Sequence, residues 1–429
     1  MAIVGGGFTG LWAAVQAKEA LPDRNVVLIE ADRVAQGASG RNGGFSESSL
    51  THGLSNGKWH FPGEYEELER IGDENLRGFI ASLKRHSIDA NFEETGTLGV
   101  ATEPHQVEEL QEYYEELGQL GVAAEYLDRD AVQAEVRSPT YLAGVWRKSG
   151  ATVDPARLAW GLRDTAMRLG VRLYEQTPMQ DLRSTGAGGP MEIRCASGRV
   201  HAQKVILGTN AFRSPVARMR RATIPVWDYV LMSEPLTQSQ RESIGWKNRQ
   251  GLSDGGNQFH YYRLTDDDRI LWGGYDAIYH YGSRLEPEME QRSESFEGLS
   301  QRFFATFPQL EGLRWSHSWG GPIASTTRFC MDVGTAHGGR VSWAAGYTGL
   351  GVVATRYGAR LALDLLDRPD APHLQMRFVK KRAVPWPPEP IRALGVGITQ
   401  RAMARADRNQ GRRGPWLKLL DALGLGFDS

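Results

Sequence analysis

The sequence has little cysteine and no long apolar run. Only two cysteines, Cys195 and Cys330, occur in 429 residues, and they form no C-x-x-C motif. This excludes a thiolate zinc site and a disulfide framework and favours a reducing compartment, so we expect a cytoplasmic protein. The ten histidines form no H-E-x-x-H motif, and we predict no metal. No segment approaches the roughly 20 apolar residues that span a bilayer, and no secretory signal is evident.

The chain also lacks an overall excess of charge. Its 50 Lys and Arg residues balance 51 Asp and Glu residues, which argues against nucleic-acid binding. The segment 371–429 differs, with eleven basic residues against four acidic ones. We expect this basic tail to pack on the acidic body of its own chain, because Pro385, Pro387, Pro388 and Pro390 interrupt it. The alternative is contact with a membrane surface or a partner through the amphipathic stretch Trp416–Leu425.

The start of the chain contains a glycine motif. Gly5, Gly7 and Gly10 form a G-x-G-x-x-G turn between an apolar strand and an Ala-rich helix. A second apolar run, 26–29, ends on Glu30. Strand, turn, helix, strand and acid in this order predict a dinucleotide site, with the pyrophosphate at the helix N-terminus and the ribose hydroxyls on Glu30. A carboxylate there disfavours NADP. Since the strand begins almost at Met1, we expect the natural chain to extend further upstream.

Two further glycine-rich segments predict contact with a ligand. Residues 37–45 hold too many glycines for a regular element, which suits backbone pressed against a flat or charged group. Residues 346–352 form a glycine-rich turn before a helix predicted over 354–366, and so provide a second positive helix end. Turns at opposite ends of the chain fit a ligand with two distant polar ends.

The remaining pattern predicts two kinds of structure. Helices are predicted over 65–86 and 103–120, and a third begins at Pro155 with Asp154 as its N-cap. Residues 171–175, 205–207 and 341–345 read as strands of an α/β sheet. Between 224 and 319 short strands rich in aromatic residues predict an antiparallel sheet and a separate substrate domain.

Four blocks of this chain, 3–30, 37–45, 205–211 and 319–322 with 346–352, resemble the D-amino-acid oxidase-like FAD oxidoreductases. This group includes glycine oxidase, sarcosine oxidase and the γ-glutamylputrescine oxidase-like branch, to which 37–45 and 261–275 are most similar. The resemblance reaches to about Leu366, and its loop 38–44 favours FAD over NAD. It implies a Rossmann-like FAD-binding domain (1–80, 140–222 and 320–370) interleaved with an antiparallel-sheet substrate domain (81–139 and 223–319). A C-terminal extension, 371–429, follows.

The resemblance also implies which residues hold FAD. The pyrophosphate would lie on Gly5, Gly7, Phe8, Thr9 and Gly10, and the adenosine ribose on Glu30 and Ala31. Beside the pyrophosphate and the flavin ring, the cofactor would contact Ser39, Gly40, Arg41, Asn42, Gly43 and Gly44. Met179 would lie at the adenine, and Gly208 and Thr209 would close over the cofactor. The pyrimidine edge of the flavin would face Gly346, Tyr347, Thr348, Gly349, Leu350, Gly351 and Val352.

Two departures from relatives of the sarcosine oxidase type bear on the chemistry. Their lysine near the flavin, in a Lys-x-Gly-Tyr-His run, corresponds here to Trp272 in Trp-Gly-Gly-Tyr-Asp, so the electron acceptor is left open between oxygen and another carrier. Cys330 lies too close to Gly346 to match the cysteine that binds flavin covalently in some relatives. We therefore predict non-covalent FAD and a core thiol at Cys330.

The activity implied is oxidation of the CH–NH bond of a small amine or amino acid. Hydride would pass to flavin N5, and the resulting imine would hydrolyse. Such chemistry needs orientation, water exclusion and an uncharged amine, which aromatic walls favour. Candidate substrate-pocket residues are Trp59, His60, Tyr261, Arg263, Trp272, Asp276, Trp319 and Arg328. The alternatives are a flavin monooxygenase using NAD(P)H, a dehydrogenase of the same family that does not use oxygen, and a non-catalytic flavoprotein or NAD-binding regulator.

Overall fold

The computed structural model describes residues 1–186 and 188–426. The strands are β1 Ala2–Val4, β2 Val27–Ile29, β3 Phe45–Ser46, β4 Thr97–Ala101, β5 Ala124–Leu127, β6 Ala143–Arg147, β7 Ala151–Thr152, β8 Arg172–Tyr174, β9 Met179–Ser184, β10 Met191–Cys195, β11 Gly198–Ala202, β12 Val205–Leu207, β13 Ile224–Ser233, β14 Gly251–Asp254, β15 His260–Leu264, β16 Ile270–Gly274, β17 Trp315–Ser325, β18 Asp332–Ala336 and β19 Val341–Ala345.

The α-helices, in chain order, are α1 Phe8–Ala20, α2 Leu54–His60, α3 Tyr65–His86, α4 Pro104–Gln119, α5 Arg129–Glu135, α6 Pro155–Arg168, α7 Ala217–Ala222, α8 Gln238–Ile244, α9 Ser293–Thr306, α10 Gly351–Asp367, α11 Arg377–Lys380, α12 Ile391–Asp407 and α13 Pro415–Ala422. Short 3₁₀ turns occupy Ala38–Gly40, Pro287–Glu290, Pro308–Leu310 and Pro372–Gln375.

A six-stranded sheet forms the first layer, in the order β18-β19-β12-β1-β2-β8. Its strands are parallel except for the edge strand β18. Ile3 lies between Leu28 and Ile206 in register, and all three side chains are buried. Helices α1, α6 and α10 pack on this sheet, and its inner strands β1, β2, β12 and β19 are buried and mostly apolar, whereas the edge strand β8 is largely exposed. The carboxyl ends of β1, β2 and β12 therefore meet at one edge, where a parallel sheet binds ligands.

An eight-stranded sheet forms the second layer, in the order β17-β13-β16-β15-β14-β4-β6-β5. Only β14 and β4 run parallel; the other neighbours are antiparallel. One face packs on α9 through the fully buried rings of Tyr262, Trp272, Phe303 and Phe307. The opposite face is turned toward the first layer and is free to line a cavity. Smaller sheets, β11-β10-β9 and β3-β7, complete the described structure.

Most elements follow the sequence predictions. The helix predicted over 65–86 is α3, and Asp154 caps α6 by accepting a hydrogen bond from the Arg157 amide, with Pro155 in its first turn. Strand β6 lies inside the range 140–222 but pairs with β4 and β5. A domain boundary after Arg147 would keep β6 with the strands it pairs with, whereas a boundary at 140 separates β6 from them.

The C-terminal extension packs on the body of its own chain, as expected. The Asp407 carboxylate, at the end of α12, accepts hydrogen bonds from the backbone amide and Nδ2 of Asn257 at 2.9 and 2.7 Å and from the Gln258 amide at 3.1 Å. Tyr279 bonds to Glu389 and Gln400 bonds to the Ala277 carbonyl. Within the described residues, no helix is both long enough and apolar enough to cross a membrane.

Candidate functional site

The turn between β1 and α1 is packed too closely for any residue larger than glycine at two positions. Gly5 has a φ of +108°, and a Cβ on it would lie 2.7 Å from the carbonyl oxygen of Gly208, after β12. A Cβ on Gly10 would overlap the carbonyl oxygen of Gly5. Helix and strand therefore approach closely, and the N-terminus of α1 faces the sheet edge.

Glu30 lies directly beside this turn. Its carboxylate accepts hydrogen bonds from the Gly6 amide at 2.5 Å and from the Asp32 amide at 2.9 Å. Glu30 and Ala31 line the cavity described below. The end of β2 thus presents a carboxylate beside the turn that precedes α1. A carboxylate in this position binds a ribose next to a pyrophosphate.

The loop 37–44 folds onto the same turn. The Ser39 hydroxyl accepts a hydrogen bond from the Phe8 amide at 2.9 Å, which ties the loop to the first residue of α1. Within the loop, Asn42 Nδ2 donates to the Ala38 carbonyl at 3.0 Å, and the Gly44 amide donates to Asn42 Oδ1 at 2.9 Å. These bonds hold an irregular backbone in one conformation, which a rigid ligand-binding loop requires.

Residues after β12 and β19 complete the cradle. Asn210 Oδ1 accepts a hydrogen bond from the Gly346 amide at 2.9 Å, and the hydroxyls of Thr9 and Tyr347 are 2.9 Å apart. The glycine turn 346–351 thereby leads the N-terminus of α10 to the same edge as α1. Thr209 also lines the cavity, and its hydroxyl is buried without a hydrogen-bond partner among the described residues. A bound polar group would satisfy it.

These features border a single cavity of about 1620 Å³ that runs from the cradle to the eight-stranded sheet. The volume exceeds what one small molecule usually fills, so it has room for a dinucleotide and a substrate. Most residues predicted to hold FAD line it, namely Gly5, Gly7, Phe8, Thr9, Glu30, Ala31, Ser39, Arg41, Asn42, Gly43, Gly44, Met179, Gly208, Thr209, Tyr347, Thr348, Gly349, Leu350, Gly351 and Val352. Gly10, Gly40 and Gly346 pack behind the lining, where a Cβ would collide with neighbouring atoms.

The residues present fit FAD. Donors and acceptors for a dinucleotide lie at successive points along the cavity. They are the crowded glycine turn, the Glu30 carboxylate beside it, the Thr209 hydroxyl, which has no partner among the described residues, and two helix N-termini. The loop 41–44 lies between this cradle and the second sheet, so it is placed to contact the flavin ring.

The cavity floor next to that loop is built around Tyr261. Its ring crosses Gly273 on the neighbouring strand, where a Cβ would lie 2.6 Å from the ring, and it also contacts Gly43. Its hydroxyl donates to Asp228 Oδ2 at 2.5 Å. Asp276 lies on the same wall, held by Ser295 at 2.6 Å and Arg292 at 3.4 Å. Tyr261 and Asp276, both predicted as substrate-pocket residues, thus line the same cavity.

Asp228 was missed by the sequence reasoning. It is enclosed by protein but keeps surface exposed to the cavity. Burial raises its pKa to about 6, the negative charge of Asp276 also raises it, and the hydrogen bond from Tyr261 opposes the shift. Burial and the Asp228 carboxylate raise the pKa of Tyr261 well above its usual range, so Tyr261 keeps its proton and donates it. A lone carboxylate in an otherwise apolar strand was the signal that could have identified Asp228.

Both candidate arginines are buried and bonded to backbone carbonyls. Arg263 donates to the carbonyls of Gly43, Val153 and Leu264 at 2.7, 3.0 and 3.3 Å. Arg328 donates to the Phe378 and Lys381 carbonyls of the extension and to the carbonyl of Met331, three residues further along the chain. Neither is among the described residues that line the cavity. Arg263 instead supports the loop 41–44 from below, and Arg328 anchors the extension.

The other candidates lie outside the described cavity lining. Trp272 is fully buried in the core beneath the floor, and Trp319 donates from Nε1 to the Arg41 carbonyl at 2.9 Å, which places it behind the flavin loop. Trp59 is 40% exposed. His60 is buried beside Lys381; burial first, and then the charges of Lys381 and Arg328, lower its pKa to about 4.

The mouth of the cavity is walled by the C-terminal extension, which the sequence reasoning did not connect with the site. From α12 and α13, the residues that line it are Ile391, Arg392, Gly395, Val396, Thr399, Gln400, Met403, Asp407, Trp416 and Leu420. Across from them are three acids of α4, Glu109, Glu112 and Glu116. Residues of the extension and of α4 thus both border the approach to the floor.

Comparison with known proteins identifies the family. The family model described as "DAO: FAD dependent oxidoreductase" matches residues 1–365. The γ-glutamylputrescine oxidoreductase of Escherichia coli (strain K12) is 31% identical over 370 residues, covering 85% of this chain and 82% of that protein. Glycine oxidase from Geobacillus kaustophilus superposes with a TM-score of 0.71 at 19% identity, covering 86% of this chain and 95% of that chain. L-proline dehydrogenase from P. horikoshii superposes with the same TM-score at 18% identity, over 89% and 98%.

FAD is therefore the cofactor of this cradle, and the fold is that of the glycine oxidases. The match ends before the extension, so the outer wall of the cavity lies beyond the matched region. With the cofactor cradle and the family match in agreement, the chain belongs to the DAO family of FAD-dependent oxidoreductases.

Proposed function

We propose that this enzyme oxidises the CH–NH bond of a small amine or amino acid to an imine, which water then hydrolyses. The observation that carries the proposal is the continuous cavity from the FAD cradle to a floor of Tyr261, Asp228 and Asp276. Relatives support it, since one is a γ-glutamylputrescine oxidoreductase and another a glycine oxidase. Both names refer to redox reactions of nitrogen-containing compounds.

In this proposal the chain holds FAD through the turn 5–10, the Glu30 carboxylate, the loop 39–44, Met179 and the turn 346–352. Bound FAD would accept the hydride that leaves the substrate carbon. We propose that this binding is non-covalent. Both cysteines are buried, neither is among the described residues lining the cavity, and burial raises the pKa of the Cys330 thiol, which makes it a poor nucleophile.

The remaining residues orient the substrate and keep water out. Tyr261 provides an aromatic wall beside the flavin loop, Asp276 offers a carboxylate to a cationic group, and Trp416 and Met403 close the mouth. Holding the reacting carbon against the ring in a closed site is where such an enzyme gains most of its rate. Acids at the rim would attract a cationic amine to the cavity.

The electron acceptor is either oxygen or another carrier. None of the described residues that line the cavity is a lysine. The position that resembles the lysine of the sarcosine oxidase type is Trp272, which is buried in the core. A dehydrogenase that passes electrons to another carrier is thus a full alternative to an oxidase.

Anaerobic reduction of the purified holoenzyme tests the proposal. Glycine, sarcosine, putrescine and γ-glutamylputrescine are added separately while the visible absorption of the flavin is recorded. Bleaching by one of them supports CH–NH oxidation and identifies the substrate class, and readmitted air then separates oxidase from dehydrogenase. Bleaching by NADPH and by none of the amines would overturn the proposal in favour of a monooxygenase.

A further inference from the structure

Asp228 lies on the cavity-facing side of β13. Successive side chains of a strand point to opposite faces. Trp227 and Tyr229 pack in the core beneath the sheet, whereas Val226, Asp228 and Val230 line the cavity, which Trp227 also borders at one edge. The strand therefore directs a single carboxylate between two aliphatic side chains toward the flavin side of the sheet.

Tyr261 fixes the carboxylate in place. The ring reaches Asp228 across β16 only because residue 273 is glycine, and it touches Gly43 of the flavin loop on the other side. Tyr261 therefore connects the loop that carries the flavin with the carboxylate. Asp228 lines the same cavity as this loop.

No cation of the described chain neutralises Asp228. Its donors are the Tyr261 hydroxyl and the amides of Tyr229 and Gly274, and no arginine, lysine or histidine among the described residues pairs with it. Other charges on this side of the sheet are themselves paired: Asp276 with Arg292, and Arg41, which packs on Gly321 opposite Asp228, with Glu290. An enclosed carboxylate without a counter-ion is costly, and its cost falls when a ligand supplies the positive charge.

We propose that Asp228 binds the substrate ammonium and takes its proton, with Tyr261 as the positioning residue. An N–H bond of the ammonium breaks and an O–H bond forms on the Asp228 carboxylate, so a charged pair becomes a neutral amine and a neutral acid. Only the neutral amine, with its nitrogen lone pair free, can lose hydride from the adjacent carbon. This inference rests on the proposed function.

The first test is the pH profile of kcat/KM with the amine that reduces the wild-type flavin. Activity of the wild type falls as pH drops through about 6, because protonated Asp228 cannot accept a proton. Asp228→Asn lowers kcat/KM by about 100-fold and removes this acid limb. Wild-type-like activity of Asp228→Asn, within about threefold and with the acid limb retained, would overturn the proposal.

Two variants separate a positioning role from a merely structural one. Tyr261→Phe removes a donor that favours the carboxylate, so the acid limb moves to higher pH. Asp276→Asn removes a negative neighbour, so the limb moves to lower pH. A structural defect would lower activity in both without moving the limb in opposite directions, and that result would contradict the assignment.

Calorimetric binding of putrescine near pH 6 to enzyme whose flavin has first been reduced with dithionite, in anaerobic buffers of different ionisation enthalpy, provides a readout that does not depend on turnover. The wild type releases about half a proton on binding, and Asp228→Asn releases none. Proton release without flavin reduction by any amine would overturn the proposed function and keep the ammonium site. Flavin reduction with equal proton release in both proteins would overturn the ammonium site and keep the function. If no amine reduces the flavin and the two proteins release the same number of protons, both proposals are overturned.

Discussion

Thr9 and Tyr347 join the two ends of the chain inside the cofactor cradle. Their hydroxyls are 2.9 Å apart and buried, although 338 positions separate them in the sequence. Thr9 lies in the first turn of α1 and Tyr347 in the turn before α10, so this hydrogen bond couples the two helix N-termini that border the cavity.

We predict that Tyr347→Phe weakens this coupling. The substitution leaves the Thr9 hydroxyl without that partner, which should lower the free energy of unfolding by about 1–2 kcal/mol and increase loss of FAD. Urea unfolding and flavin retained after gel filtration measure the two effects. Tyr114→Phe, at an exposed tyrosine of α4, is the matched control, and an equal loss in both variants would contradict the prediction.

Gly10→Ala should abolish FAD binding. The new Cβ would overlap the Gly5 carbonyl oxygen, which forces α1 away from β1 at the pyrophosphate site. We expect a colourless or unstable protein, measured by absorbance and thermal unfolding. Gly118→Ala, in the last turn of α4 with open space around it, should keep its flavin and gain about 0.5–1 kcal/mol. A yellow Gly10→Ala protein of normal stability would refute the packing argument.

Asp407→Ala should loosen the mouth of the cavity. Without its three hydrogen bonds the loop at Asn257 and Gln258 loses its connection to α12. We expect KM for the amine to rise about fivefold, with kcat less affected, and the extension to be cut sooner by trypsin. Asp370→Ala, at an exposed position before the extension, should change neither quantity. Unchanged KM and cleavage in Asp407→Ala would argue against a role for this contact.

His60 should make the fold sensitive to acid. Burial holds its pKa at about 4, below the value of 6.5 in an unfolded chain, so the unfolded state takes up the proton first as pH falls. The free energy of unfolding should therefore drop between about pH 6.5 and 4, and about 1–2 kcal/mol of this drop should be absent in His60→Gln. Urea unfolding at pH 7 and pH 5 measures the difference. An identical pH dependence in both proteins would contradict the assignment.

The cofactor half could be predicted well from sequence because its signals are local. The turn at Gly5, Gly7 and Gly10, the acid at Glu30 and the cap at Asp154 each depend on neighbours within about thirty residues, and each lies where predicted. Residues adjacent in sequence determine whether a tight turn or a helix start forms.

The substrate half could be predicted only in outline, since its function depends on which face of a strand a residue occupies. Tyr261 and Trp272 are both aromatic residues on paired strands, but Tyr261 faces the cavity and Trp272 the core. Arg263 follows Tyr261 by two residues on the same face, yet its donors are taken by backbone carbonyls that are distant in sequence. Such partners come from tertiary packing, which single-sequence patterns do not contain.

The extension reaches the cavity from outside the 365 residues of the family match. Its helices contribute side chains to the entrance and none of the predicted FAD contacts, so the entrance and the cradle belong to separate stretches of chain. Replacing residues 371–429 would therefore change this wall of the entrance while leaving the redox centre in place. Selectivity for an amine could in this way diverge by recombination at one junction, without a single change near the flavin.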